Sequence, residues 1–287
     1  MKIVYFEEKY HKYFSNTEDY ISVSGLWKQY CKEFDGDNVA YKKAYKELDT
    51  EVYNQCKKEV DYHSNEFLPH LKQVSKIDFT IIEELANQYL KTWNDKRASG
   101  TLFHLSQENL DYDMGYRINP FDGKKYKTIS WDKLHDNQSC PTKLIDLPDG
   151  YIVEHLVKND DYLVAGQLDQ NYIETIKGVR YIDINDWKTD GEIELKPKFY
   201  DKKNGLKKLF YPFNHIYDTN FWKYVLKIST YAKMLEIEGF KVRNLGITHV
   251  ITDEDLNIVE QVLYKLPYKD FEVDLILKNR LKNLHLS

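Results

Sequence analysis

The spacing of hydrophobic and polar positions changes character near residue 150. Upstream, Ile81, Ile82, Leu85, Tyr89, Leu90 and Trp93 recur at helical spacing and predict an amphipathic helix over 78–95. Gly100 is expected to interrupt it, with a second helical stretch over 101–109. Residues 38–60 are predicted to be helical and highly charged. Ser24 reads as the N-cap of a helix through Trp27, Tyr30 and Phe34. Alternating aromatic positions over 2–14 predict a short β-hairpin. Downstream, residues 151–158, 162–174, 179–189 and 245–252 read as strands, and 257–266 suggests another. Helices are expected over 219–238 and 268–284. Residues 111–148 carry Gly115, Pro120, Gly123, Pro141 and Pro148 and read as loop-rich, and 192–215 reads as a basic loop. The expected fold is α/β, a mixed central β-sheet flanked by helices with an N-terminal helical lobe. The expected division is 1–75 for the hairpin and lobe and 76–287 for the core domain.

Composition narrows the chemistry. Hydrophobic residues make up 42% of 287, enough for a sizeable core, and aromatics reach 15%, mostly tyrosine. The formal net charge of −5 gives no global attraction to nucleic acid, so any such contact must come from local basic patches. Cys31, Cys56 and Cys140 are widely separated. They are too few for a four-cysteine iron–sulfur cluster and form no disulfide framework, so reduced thiols are expected. The N-terminus lacks the apolar stretch of a secretory signal, and no apolar run approaches the ~20 residues that span a bilayer. The expected setting is cytoplasmic, in a bacterial or phage-infected host cell, with no membrane partner.

The decisive segment runs from Gly166-Gln-Leu-Asp169 to Ile184-Asn-Asp186-Trp-Lys188-Thr189. Lys177-Gly178 makes a two-residue hairpin turn, and residues equidistant from it pair across the strands. Asp169 and Asp186 are then opposite each other, with Cβ atoms ~5 Å apart. Two carboxylates at that distance repel unless a cation lies between them, and a divalent ion with oxygen ligands fits. Lys188 projects to the same face two residues on. Its ammonium can act on the attacking water and on charge developing at phosphorus. Trp187 points to the opposite face, but its backbone carbonyl can still reach the metal. A bare Asp-x-Lys is common in surface hairpins; the opposed register and the same-face Ile182 and Ile184 favour the functional reading. Upstream, His104 and Glu108 share one helix face. Beside the Asp/Asp/Lys set, His104 reads as a metal ligand. Glu108 reads equally as a participant or as the histidine's helical partner.

These segments resemble the RecB-type branch of the PD-(D/E)XK nucleases, especially phage and mitochondrial single-chain exonucleases. In that branch a Gly-x-x-x-His helix, a Gly-x-x-Asp strand and an Asp-x-Lys-Thr strand follow in order. Gly100/His104, Gly166/Asp169 and Asp186/Lys188/Thr189 match them. Tyr10-His-Lys-Tyr13 and Ser22-Val-Ser24 resemble the opening of phage members. The next family motif, Gln-x-x-x-Tyr, is matched by Tyr231, but Lys227 replaces the glutamine. A lysine there can contact a phosphate or be a solvated helix residue; it cannot accept a hydrogen bond as a glutamine carbonyl does. The resemblance implies Mg²⁺ or Mn²⁺ as cofactor and hydrolysis of DNA phosphodiesters. It also implies processing of single-stranded or end-containing DNA in phage or bacterial recombination, repair or genome maintenance. Rival readings are a structure- or site-specific endonuclease with the same core, and a catalytically impaired DNA-binding subunit. Protein partners are not indicated.

After the Asp-x-Lys strand, residues 196–213 hold six lysines against one acidic residue, interleaved with aromatics. Lys202, Lys203, Lys207 and Lys208 are the expected contacts to the DNA backbone, with Phe199, Tyr200, Phe210 or Tyr211 available to stack on bases. Lys124, Lys125 and Lys127 form a second candidate patch.

Overall fold

The computed structural model describes residues 3–7, 10, 12–62, 64–130, 138–139, 143–189, 191–197, 199–201 and 205–286. The chain separates into two compact units, one of residues 33–102 and one of residues 1–32 with 103–287. This differs from a division at 75. The hairpin β1 (Tyr5–Glu7) and β2 (Lys12–Phe14) pairs onward with β3 (Asp19–Ser22), and these strands extend the main sheet rather than joining the helices that follow. Helix α1 (Val23–Lys28) is capped by Ser22, not Ser24: the Ser22 hydroxyl accepts from the Gly25 amide at 2.9 Å. The helix ends before Tyr30 and Phe34.

The unit of residues 33–102 is helical. It holds α2 (Gly36–Leu48), α3 (Thr50–Glu59), α4 (Phe67–Val74) and the first part of α5 (Phe79–Met114). Asp49 divides the predicted 38–60 helix in two: it closes α2, and its side chain caps α3 by accepting from the Val52 amide. Phe67, Leu71, Cys56 and Ile82 are fully buried at the centre of this unit. Gly100 does not break α5, which is continuous over 36 residues. One helical glycine costs only ~1 kcal/mol, and strong helix formers surround this one.

The other unit is an α/β body around a mixed nine-stranded sheet. After the small hairpin β4 (Tyr116–Ile118) and β5 (Lys125–Lys127) come β6 (Gln138–Ser139), β7 (Gly150–Asn159), β8 (Val164–Ile176) and β9 (Val179–Lys188). The short pair β10 (Phe199–Asp201) and β11 (Gly205–Leu206) stands apart from the sheet. Helix α6 (Asn220–Glu238) then leads to β12 (Lys241–Thr252), β13 (Ile258–Lys265) and α7 (Asp270–Leu286). The sheet order is β13-β12-β9-β8-β3-β2-β1-β6, with β7 on β8. Most pairs are antiparallel; β12 on β9 and β3 on β8 are parallel. The β9–β12 pair needs a crossover, and α6 provides it. Thr219 caps the helix and Gly239, at φ 113°, ends it. Val225, Leu226, Ile228 and Leu235 of α6 share one core with Ile173, Ile182, Ile184 and Ile247 of the sheet. No described helix is long and apolar enough to cross a membrane.

Candidate active site

The β8–β9 hairpin turns at Lys177 and Gly178, with φ of 51° and 78°. Both values are positive, as the two-residue turn that matches strand twist requires. Pairing then runs from Ile176 with Val179 to Gln170 with Asn185. The next pair in that register is Asp169 with Asp186, and there the ladder stops. Farther along the same strand, Val164 and Ala165 of β8 pair with β3 instead. Residues 166–169 therefore border a gap where β9 leaves β8, while β12 accompanies β9 as far as Lys188. In that gap the Trp187 amide donates to the Asp169 carboxylate at 2.8 Å.

A third carboxylate completes the row. Strand β7 pairs Val153 with Gln170 and His155 with Leu168, which sets Glu154 opposite Asp169. Glu154 is left-handed, at φ 50°, inside a strand. That conformation is costly for a residue with a Cβ, by about 1–3 kcal/mol, and such strain concentrates at functional sites. Glu154, Asp169 and Asp186 thus stand side by side on three neighbouring strands. His104 of α5 reaches the first two: its Nδ1 lies 3.3 Å from Asp169 Oδ2 and 3.5 Å from Glu154 Oε1. The ligand atoms of His104, Glu154 and Asp169 all lie within 4.8 Å of one another. The other such group among the described residues, Cys56, Glu59 and His70, belongs to the helical unit.

Asp186 is fully buried and sits between two ammonium groups. Its Oδ1 accepts from Lys227 Nζ at 2.9 Å, and its Oδ2 is ion-paired with Lys188. Lys188 also donates to the Trp187 carbonyl at 2.8 Å. Electrostatics follow the partners. Burial raises the Asp169 carboxyl above the usual carboxylate range, the facing Asp186 adds to this, and His104 only partly offsets it. Burial alone would also raise Asp186, but Lys188 and Lys227 outweigh it and hold that group well below the ordinary value. Burial disfavours charge on His104 and Lys227 as well. The facing carboxylates reverse this and raise both, Asp169 and Glu154 acting on His104 and Asp186 on Lys227.

The glycine of Gly-x-x-Asp has a packing reason. A Cβ on Gly166 would collide with the Tyr231 hydroxyl, so its absence lets Tyr231 of α6 lie against β8. Tyr231 is buried one turn after Lys227, and its phenol is raised by burial. Tyr13 of β2 is buried beside the same charges, and burial raises its phenol too.

The geometry sorts the residues expected from sequence. His104, Asp169, Asp186, the Trp187 carbonyl, Lys188 and Tyr231 converge on this corner. Lys227 belongs here too, half-buried and bound to Asp186. Glu108 is not among the groups that close around Asp169; Glu154 takes that place. Its signal lay in β7, whose register against β8 is a tertiary fact. Of the basic loop, Lys202 and Lys203 lie outside the described residues. Lys207 is ion-paired at 2.8 Å with buried Asp218, which leaves Lys208 exposed. In the second patch, Lys124 binds Glu174 at 2.8 Å and Lys125 lies over the Tyr116 ring. A cavity of about 440 Å³, lined by Arg117, Tyr172, Trp187 and Thr248, lies on the other face of the sheet from the carboxylates.

The donor set suits a hard divalent cation. Carboxylate oxygens fit Mg²⁺ or Mn²⁺, and one imidazole nitrogen favours Mn²⁺ over Mg²⁺. No protein-family model, curated protein or solved structure matches the chain. Its chemistry is therefore read from this geometry.

Proposed function

We propose that this protein is a metal-dependent deoxyribonuclease of the PD-(D/E)XK type that hydrolyses phosphodiester bonds in DNA. The observation that carries the reading is the row Glu154–Asp169–Asp186 on three adjacent strands, with Lys188 two residues beyond Asp186 at the point where β9 leaves β8. His104, Glu154 and Asp169 would hold Mg²⁺ or Mn²⁺, with Asp186 and the Trp187 carbonyl beside them. When bound, such an ion supplies Lewis-acid polarisation and a lowered water pKa. Lys188 stands beside Asp186 at the gap where β9 leaves β8. From there its ammonium orients the attacking water and donates to phosphoryl oxygens as negative charge builds on them. Asp186 holds that ammonium in place. Tyr231 and Gly166 fix α6 against β8 and so fix Lys227.

The finer reading is an exonuclease acting on single-stranded or end-containing DNA. Its support is the order of the Gly-x-x-x-His, Gly-x-x-Asp and Asp-x-Lys-Thr segments along the chain. The test uses end-labelled linear DNA, single- and double-stranded, beside covalently closed circles. Cleavage of linear DNA is expected with Mn²⁺ or Mg²⁺ and absent in EDTA, with closed circles intact. Cut circles would assign an endonuclease. Undiminished cleavage in EDTA would exclude the metal mechanism.

A further inference from the structure

Lys227 is placed in a way that the nuclease reading does not itself require. The ligand atoms that cluster within 4.8 Å are those of His104, Glu154 and Asp169; Asp186 lies outside that group. Its two oxygens face Lys227 and Lys188. A two-ion centre sets its cations about 3.5–4 Å apart and needs carboxylate oxygens free to serve both. On the His104 side of Asp169 such oxygens are present. On the Asp186 side a half-buried ammonium already holds Oδ1 at 2.9 Å.

We propose that Lys227 is a built-in second cation of this centre, a positioning residue that holds Asp186 through Oδ1 and limits the site to one divalent ion. The three carboxylates carry −3; Lys188 and Lys227 bring this to −1, which one divalent ion already exceeds, so a second ion meets no negative charge to neutralise. The lysine is held by covalent attachment to α6 and by Tyr231 packing one turn on, so it does not exchange with solvent cations. Asp186 is then kept as the anchor of Lys188 and does not bridge ions.

This inference rests on the proposed metal site, and the experiment separates the two. Mn²⁺ is titrated calorimetrically into the full chain without DNA, so turnover plays no part. The wild type is expected to bind one Mn²⁺. Lys227→Gln keeps an N–H donor for Asp186 but removes the charge; it is expected to bind a second Mn²⁺, or the first at least about tenfold more tightly. Lys227→Arg retains the charge and is expected to restore wild-type behaviour, which a merely structural role would not predict. A wild-type stoichiometry of two overturns the proposal without any variant, even if the glutamine protein does not fold. Unchanged stoichiometry and affinity in a folded Lys227→Gln protein also overturn it, while leaving the metal site standing. No Mn²⁺ binding by any of the three proteins removes the metal site and this inference together.

Discussion

Strand β9 carries two fully buried aspartates three residues apart, Asp183 and Asp186, on opposite faces of the sheet. Asp183 is saturated. Arg243 grips it in bidentate fashion at 2.9 and 2.7 Å, and the Asn119 and Asn244 amides donate at 2.6 and 2.8 Å. Four directed hydrogen bonds from a planar fork and two neutral amides fix a carboxylate and leave nothing to react. Asp186 meets two ammonium groups, which are flexible point charges, and faces another carboxylate across the gap. A buried charge is tolerated on either face when it is paired. The two faces differ in what surplus remains: the Asp183 side is closed, and on the Asp186 side three carboxylates face two ammonium groups beside the gap where β9 leaves β8.

The sharpest way to break this contrast is to neutralise each aspartate in turn. Asp186→Asn should lower cleavage of labelled DNA by at least about 10³-fold, roughly 4 kcal/mol in activation free energy. Its melting temperature should move less than that of the Asp183 variant. Asp183→Asn should do the reverse, costing about 3 kcal/mol in denaturant unfolding because it removes the charge facing Arg243 and puts an NH2 donor where two donors need an acceptor. Equal losses of stability from both would mean that Asp186 is structural too.

A smaller effect tests the helix that carries Lys227. Gly166→Ala should cost about 2 kcal/mol by forcing Tyr231 off β8. The same change in a Tyr231→Ala background should cost much less. Additive losses in that double-mutant cycle would show that the two residues do not share space.

The smallest effect comes from the half-buried carboxyl of Glu238. Burial lifts Glu238 to about 7, Lys143 only partly offsetting it, and its Oε2 has no hydrogen-bond partner. A carboxyl raised in the folded state holds its proton more tightly there than in the unfolded chain. The stability it contributes is full below about 4.3, the unfolded value, and is lost as pH rises to about 7. Because the group is partly exposed, the loss should be on the order of 1 kcal/mol. Glu238→Gln should flatten that slope in melting curves taken from pH 4 to 8; an unchanged slope would assign the pH dependence to another group.

Much of this arrangement is local and therefore written in the sequence. The Lys177-Gly178 turn, the period-two alternation around it and the Gly-x-x-Asp spacing set Asp169 opposite Asp186 without reference to the rest of the chain. The helices at 220–238 and 270–286 and the strands from 150 onward follow from periodicity and caps in the same way. Tertiary structure decided what local pattern cannot encode. Glu154 enters the centre through the register of β7 on β8, which no spacing along the chain announces. Lys227 finds Asp186 because α6 crosses from β9 to β12 over that face. Asp183 and Asp186 are the same residue type in one strand, and only their neighbours make one a fully hydrogen-bonded fastening and set the other between two ammonium groups. Spacing along a chain fixes which face a side chain takes; the charge and solvent it meets there come from segments distant in sequence.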